Sequence, residues 1–165
     1  MKYITLLLAA LPALSAMPGP ALAAPHDAEV QAVRALYVRF AAEAVMDDVT
    51  TDGMMDAPPA VLRQYLTDEL VELWLRDRAC ALRTHSLCRL DFQPIWHSQD
   101  PLGSTVRLRW DAARARVVAT LGFGDGSARI LAYSLVRQGN AWRIADIGYG
   151  AGQPTLKQLL SAPEP

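Results

Sequence analysis

The stretch TVRLRW, residues 105–110, restricts the fold of this chain more than any other. Val106, Leu108 and Trp110 alternate with Thr105, Arg107 and Arg109. In an extended backbone such alternation sends one set of side chains to a dry face and the other to water. Three further strand-like runs follow, ARVVATLGF, ARILAYSLVR and AWRIADIGY, separated by the turn-forming DAAR, GDGS and QGN. Connections this short join antiparallel neighbours, because a parallel pair needs a long crossover. The C-terminal half therefore predicts one antiparallel sheet with a single covered face.

The cover precedes it in the chain. From Asp27 to Met46, Val30, Val33, Tyr37, Phe40 and Ala44 recur at three- and four-residue steps, with Arg34, Arg39 and Glu43 off that stripe. That spacing predicts an amphipathic helix. DDVTTDGMMDAPP ends it, and a second helical region is expected from Pro59 to Ala79 with a joint at Thr67. Thr67 suits an N-cap, with Asp68 and Glu69 in the first turn where acids favour the helix dipole. PTLKQLL predicts a closing helical turn. No repeat or linker divides residues 24–165, so the expectation is one α+β domain: N-terminal helices packed on a curved antiparallel sheet, cone-like, with a pocket between the layers.

Residues 1–23 carry an address. Lys2 precedes an apolar run, and Ala21-Leu22-Ala23 matches the A-x-A cut pattern, which predicts a signal peptide cleaved after Ala23. The run is too short to span a bilayer, so no membrane contact is expected after cleavage, and the mature chain is expected in a periplasm or outside the cell. Cys80 and Cys88 are the two cysteines of the chain. In an oxidising compartment they predict a disulfide. With 16 basic and 17 acidic side chains the net charge is −1, and losing Lys2 makes it one unit more negative. A nucleic-acid binder needs a basic excess that this chain lacks.

QPIWHSQDP (Gln93 to Pro101), AYSLVRQGNAWRIADIGY (Ala132 to Tyr149) and TLKQLL (Thr155 to Leu160) together give the chain a resemblance. It resembles the nuclear-transport-factor-two-like superfamily, the cone fold shared with ketosteroid isomerases and scytalone dehydratase. Within that superfamily it is similar to an exported bacterial family catalogued as a domain of unknown function. The resemblance carries over Pro94, Gln99, Asp100, Trp142, Ile144, Asp146 and Ile147. Gln93 departs from the pattern, which has an acid before the proline.

Chemistry concentrates in DFQPIWHSQDP, Asp91 to Pro101. His97 with Asp91 or Asp100 is a candidate proton relay, one carboxylate orienting the imidazole. Asp146 is expected to join them, sharing a face with Trp142 and Ile144 by the two-residue period of a strand. The competing expectation is turn chemistry, with Gln99 and Asp100 satisfying backbone amides and Asp146 bonding the same loop. As a metal site Asp91, His97 and Asp100 lack helical ligand spacing. Asp48 to Asp56 partly matches a calcium loop, but Pro59 stands where the bidentate glutamate belongs. G-x-S-x-G, H-E-x-x-H, G-x-G-x-x-G and Walker patterns are absent, so no metal or cofactor is expected.

These observations favour an exported, non-enzymatic binding domain that recognises a protein or a small ligand, of which a periplasmic immunity-type protein is one example by analogy. Its expected binding residues are Trp96, His97, Gln99, Asp100, Asp146 and Tyr149, with an exposed patch around Trp96 or an acidic groove near Asp47 to Asp56. The alternatives are a small pocket hydrolase, isomerase or dehydratase and a structural envelope factor. A homodimer through the open sheet face is compatible with each.

Overall fold

The computed structural model describes residues 26–46 and 53–164. The predicted leader and the Asp48–Asp52 half of the acidic loop lie outside the described residues. Strands β1 (Thr105–Asp111), β2 (Arg116–Gly122), β3 (Ala128–Gln138) and β4 (Ala141–Gly148) form an antiparallel sheet in the order β1-β2-β3-β4. Gly139, at φ 62, begins the two-residue turn between β3 and β4, a position that favours a residue without a Cβ. On the inner face Val106, Leu108 and Trp110 stand opposite Leu121, Ala119 and Val117. Leu131 and Tyr133 continue that face on β3, and both are fully buried. Arg107, Arg109 and Thr120 are exposed on the outer face. The alternation in TVRLRW is thus the partition of the sheet.

Helices α1 (Asp27–Arg39), α2 (Pro59–Leu62), α3 (Asp68–Thr84) and α4 (Leu156–Ser161) complete an α+β fold. Val33, Leu36 and Tyr37 of α1 pack into the core against the inner face. Thr67 caps α3 as its position predicts, its hydroxyl oxygen accepting the Leu70 amide at 3.3 Å. α3 runs past the expected end at Ala79, because the good helix formers Ala81, Leu82 and Arg83 extend it and Cys80 holds it to the core. Thr155 caps α4 in a reciprocal box with Gln158.

Two expectations need correction. The first helix does not reach Met46: it stops at Arg39 and tightens into a 3-10 turn over Ala41–Ala44. The tighter turn carries Glu43 inward, off the polar side predicted by helical spacing, and leaves it 2% exposed. On β4 the register shifts between Ser134 and Leu135, so Asp146 stands opposite Ser134 and Ile144 opposite Leu135. Ala145 is the extra residue of this bulge, and Asp146 therefore faces away from Ile144 rather than with it.

The two sheet edges differ. Segment 65–67 covers β4: the Ile144 amide donates to the Tyr65 carbonyl at 2.8 Å, and the Thr67 amide to the Ile144 carbonyl at 2.9 Å. β1, the other outer strand, has only β2 hydrogen-bonded along it among the described residues.

Cys80 and Cys88 form a disulfide, with Cα atoms 6.1 Å apart, that ties the end of α3 to the following segment. Closing so short a loop stabilises a fold by about 2–3 kcal/mol through the unfolded state. Cys88→Ser is expected to lose that amount in urea unfolding followed by circular dichroism. An unchanged midpoint would show that the bond adds nothing to stability.

Candidate functional site

Residues 93–98 close on themselves. The Gln93 amide donates to the Ser98 carbonyl at 2.8 Å, and the Gln93 carbonyl accepts from the amides of Trp96 and His97 at 3.1 and 2.8 Å. This turn drives Pro94, Ile95 and Trp96 into the interior. Trp96 is 2% exposed, and its indole N–H donates to Glu43 Oε2 at 2.7 Å. The other Glu43 oxygen accepts the Met54 amide. Burial pushes the Glu43 carboxyl above the ordinary glutamate range, and the bonds from Met54 and Trp96 oppose the shift without cancelling it. The Ile95 carbonyl accepts the Tyr37 hydroxyl at 2.7 Å, and Tyr37 and Tyr133 share a hydroxyl bond of 2.6 Å. Desolvation holds both phenols far above the usual tyrosine range, so they stay neutral. This loop and these rings fill the interior between α1 and the centre of the sheet, and a groove of about 270 Å³ stays open between α1 and β1.

The expected exposed patch around Trp96 is therefore overturned: the indole is a core side chain because Glu43 supplies the acceptor its N–H needs indoors. His97, next in the chain, turns outward through a left-handed backbone at φ 50. Its ring stacks on Tyr149 with centroids 4.5 Å apart and meets Phe92 edge-on at 5.0 Å. Burial, and secondarily the Arg129 charge, lower its pKa below the ordinary histidine value, so the ring is neutral at neutral pH. It lines an open depression of about 540 Å³ with Arg129, Ile130, Tyr149 and Gln153. Among the described residues no carboxylate lines that depression. The Tyr149 hydroxyl is buried without a hydrogen-bond partner among the described residues.

The carboxylates expected to orient His97 are engaged elsewhere or point elsewhere. Asp146 Oδ1 accepts the Ile147 and Lys157 amides at 2.8 and 2.9 Å, pinning the start of α4 to β4. It bonds backbone as the turn reading expected, but in α4 rather than in the 91–101 loop. Asp100 Oδ1 accepts the Leu102 amide at 3.0 Å, an Asx turn that carries the chain toward β1. Asp91 and Gln99 line a different surface from His97. Among the described residues no three His, Cys, Asp or Glu side chains converge as metal ligands would.

That different surface is a trough of three joined depressions. One, of about 290 Å³, lies between the end of α3 and the disulfide segment and includes Asp56, Leu82 and Leu87. A second, of about 360 Å³, shares Met55, Leu87 and Leu90 with it and adds Asp91, Phe92, Gln93 and Gln99. A third, also about 360 Å³, shares Gln93 and Gln99 with the second and reaches Glu43 and Asp100. Its outer end is apolar and open, with Leu82 77% and Leu87 66% exposed. Its inner end is acidic and polar, and the Gln93 side-chain oxygen there is buried without a partner among the described residues. Asp56, Asp91 and Asp100 form no ion pair among the described residues.

Of the residues singled out in the sequence, Gln99, Asp100 and Asp91 share the trough, His97 and Tyr149 share the depression beside β3, and Trp96 and Asp146 hold structure. Glu43, Leu82 and Leu87 were missed. The exposed leucines follow the helical run and resemble core residues in sequence, and Glu43 is identifiable only through partners distant in the chain. The chain matches no protein-family model, no curated protein and no solved structure.

Proposed function

We propose that this is an exported, non-catalytic domain of the cone type that binds a segment of a protein partner in the trough beside the Asp91–Pro101 loop. The observation that carries the reading is the trough itself, apolar where Leu82 and Leu87 stand open and acidic where Asp91 and Asp100 stand unpaired. That gradient fits a segment bearing leucine-like side chains at one end and lysine or arginine at the other. A general acid–base site needs an oriented base over an accessible cavity. Among the described residues His97 lacks a carboxylate beside it, the interior behind α1 is packed with Ile95, Trp96, Tyr37 and Tyr133, and the groove left between α1 and β1 is lined by no acid and no histidine. Export is supported by the leader pattern of residues 1–23 and by the disulfide. No described helix is long and apolar enough to cross a membrane. A periplasmic immunity-type role fits the same size, address and absence of catalytic motifs.

A photo-crosslinking side chain placed at Leu87 in the full-length chain, expressed in an exporting host, is expected to give one discrete protein adduct. The same probe at Thr120, on the outer sheet face, is expected to give none. Equal adducts at both positions, or none at Leu87, would overturn the reading. Asp91→Lys is expected to weaken the Leu87 adduct while leaving the fold intact, since Asp91 is exposed.

A further inference from the structure

An uncovered sheet edge offers a row of unpaired backbone amides and carbonyls to any strand that fits beside it. Among the described residues β4 is covered by segment 65–67, and β1 is not covered. Directly beneath the β1 edge, between it and α1, runs an apolar groove of about 270 Å³. Val38 and Val45 form one wall, Val106 and Leu108 the other, and Trp96 lies at the floor. Val38 is 70% and Val45 72% exposed, and the buried Ser104 hydroxyl in the groove has no partner among the described residues. On the other side of the same strand, Arg107 and Arg109 are exposed and make no ion pair or hydrogen bond with the described residues. Arg34 on α1, also exposed, is unpaired in the same way at the mouth of the groove.

We infer that the β1 edge accepts an extended strand from a protein partner, one in which acidic and apolar residues alternate. Paired beside β1, such a strand sends its apolar side chains into the groove against Val38, Val45, Val106 and Leu108. Its acidic side chains then face Arg107 and Arg109, because successive residues of a strand point to opposite faces. Backbone pairing supplies the affinity, while the groove and the arginines set the register, since a one-residue slip would exchange the two faces.

Edge arginines also serve to keep strands apart, and that alone would account for Arg107 and Arg109. It does not account for the apolar groove under the same edge, nor for Val38 and Val45 standing open beside it. A second copy of this chain is a poor occupant. Symmetric antiparallel pairing about Leu108 sets Arg107 against Arg109 of the partner strand twice, and like charges directly opposite are unfavourable. The strands of the sheet hold only two acids: Asp111, engaged by Arg114 and Arg116, and Asp146, engaged by backbone amides. Among the described strands none therefore offers the acidic alternation that β1 fits. The partner is a different chain.

The test uses the chain from Ala24 onward with its disulfide formed and, as probe, the capped peptide Glu-Val-Glu-Val-Glu-Val-Glu, matched in length to β1. Controls are the block peptide of the same composition and the Lys-Val alternating peptide. Amide exchange read by nuclear magnetic resonance is expected to slow along β1 only with the Glu-Val alternating peptide, with affinity at least tenfold above both controls. Arg107→Glu with Arg109→Glu, exposed positions that leave the core untouched, is expected to lose that binding and to take the Lys-Val peptide instead. Overturning results are equal affinity for the block peptide, binding unchanged by the charge reversal, or protection outside β1. No binding at millimolar peptide also overturns the inference, as does concentration-dependent self-association that protects β1 without peptide.

Discussion

Trp96→Ala is expected to unfold this protein more readily rather than to strip it of a binding residue, lowering the unfolding free energy by about 3–5 kcal/mol. The indole is 2% exposed and packs edge-on against Tyr37 with centroids 5.3 Å apart. Its removal opens a cavity at the tip of the 93–98 turn that rigid neighbours on α1 and the sheet fill only in part. It also deprives the nearly buried Glu43 of a donor. Trp96→Phe separates the two losses: the ring space stays largely filled, the indole N–H is gone, and the expected cost falls to about 1–3 kcal/mol. Urea unfolding followed by far-ultraviolet circular dichroism measures both variants without relying on tryptophan emission. A Trp96→Ala protein as stable as wild type would show that the turn sits loosely on the core, and the indole would again be free for docking.

The difference between what was legible in the sequence and what was not follows from how local each signal is. The alternation in TVRLRW, the cap at Thr67 and the closing helical turn of PTLKQLL are each settled within a few residues of chain, and each stands in the structure where local spacing predicts. The Cys80–Cys88 bond is also local and was predicted from count and compartment. Trp96 and Glu43 belong to the opposite case. Each looks polar or exposed in its own segment, and each is buried because the other, 53 residues away, completes its hydrogen bonding. Asp146 failed for a third reason. A period of two holds only while the strand is regular, and one bulged residue at Ala145 reverses the face of everything beyond it. The composition of DFQPIWHSQDP gave its turn chemistry, but not the division of its residues between a core plug, a trough and a separate histidine face. That division depends on which way residues 93–98 close.

Glu43 makes the fold's dependence on pH run against the usual direction for a carboxylate. An ion-paired acid has a lowered pKa and stabilises a protein as pH rises; burial has raised this one above its ordinary value of 4.5. The folded state therefore holds the proton more tightly than the unfolded state does. Stability from this group is complete below about 4.5 and is lost as pH climbs through the raised folded value. Glu43→Gln cannot titrate, so the stability of wild type relative to this variant is expected to fall as pH rises through that window and to level off above it. The amide keeps one acceptor but turns a donor toward the second N–H, so at neutral pH the variant is expected to cost about 1–3 kcal/mol. Glu43→Ala leaves both the Trp96 indole N–H and the Met54 amide without acceptors and is expected to cost more, about 3–5 kcal/mol. Urea unfolding of the three proteins across the acid range measures the whole set. A wild-type advantage over Glu43→Gln that grows with pH would mean that the two donated hydrogen bonds outweigh burial at this carboxylate. The plug would then rest on a charged acceptor, and acid would release the 93–98 turn instead of securing it.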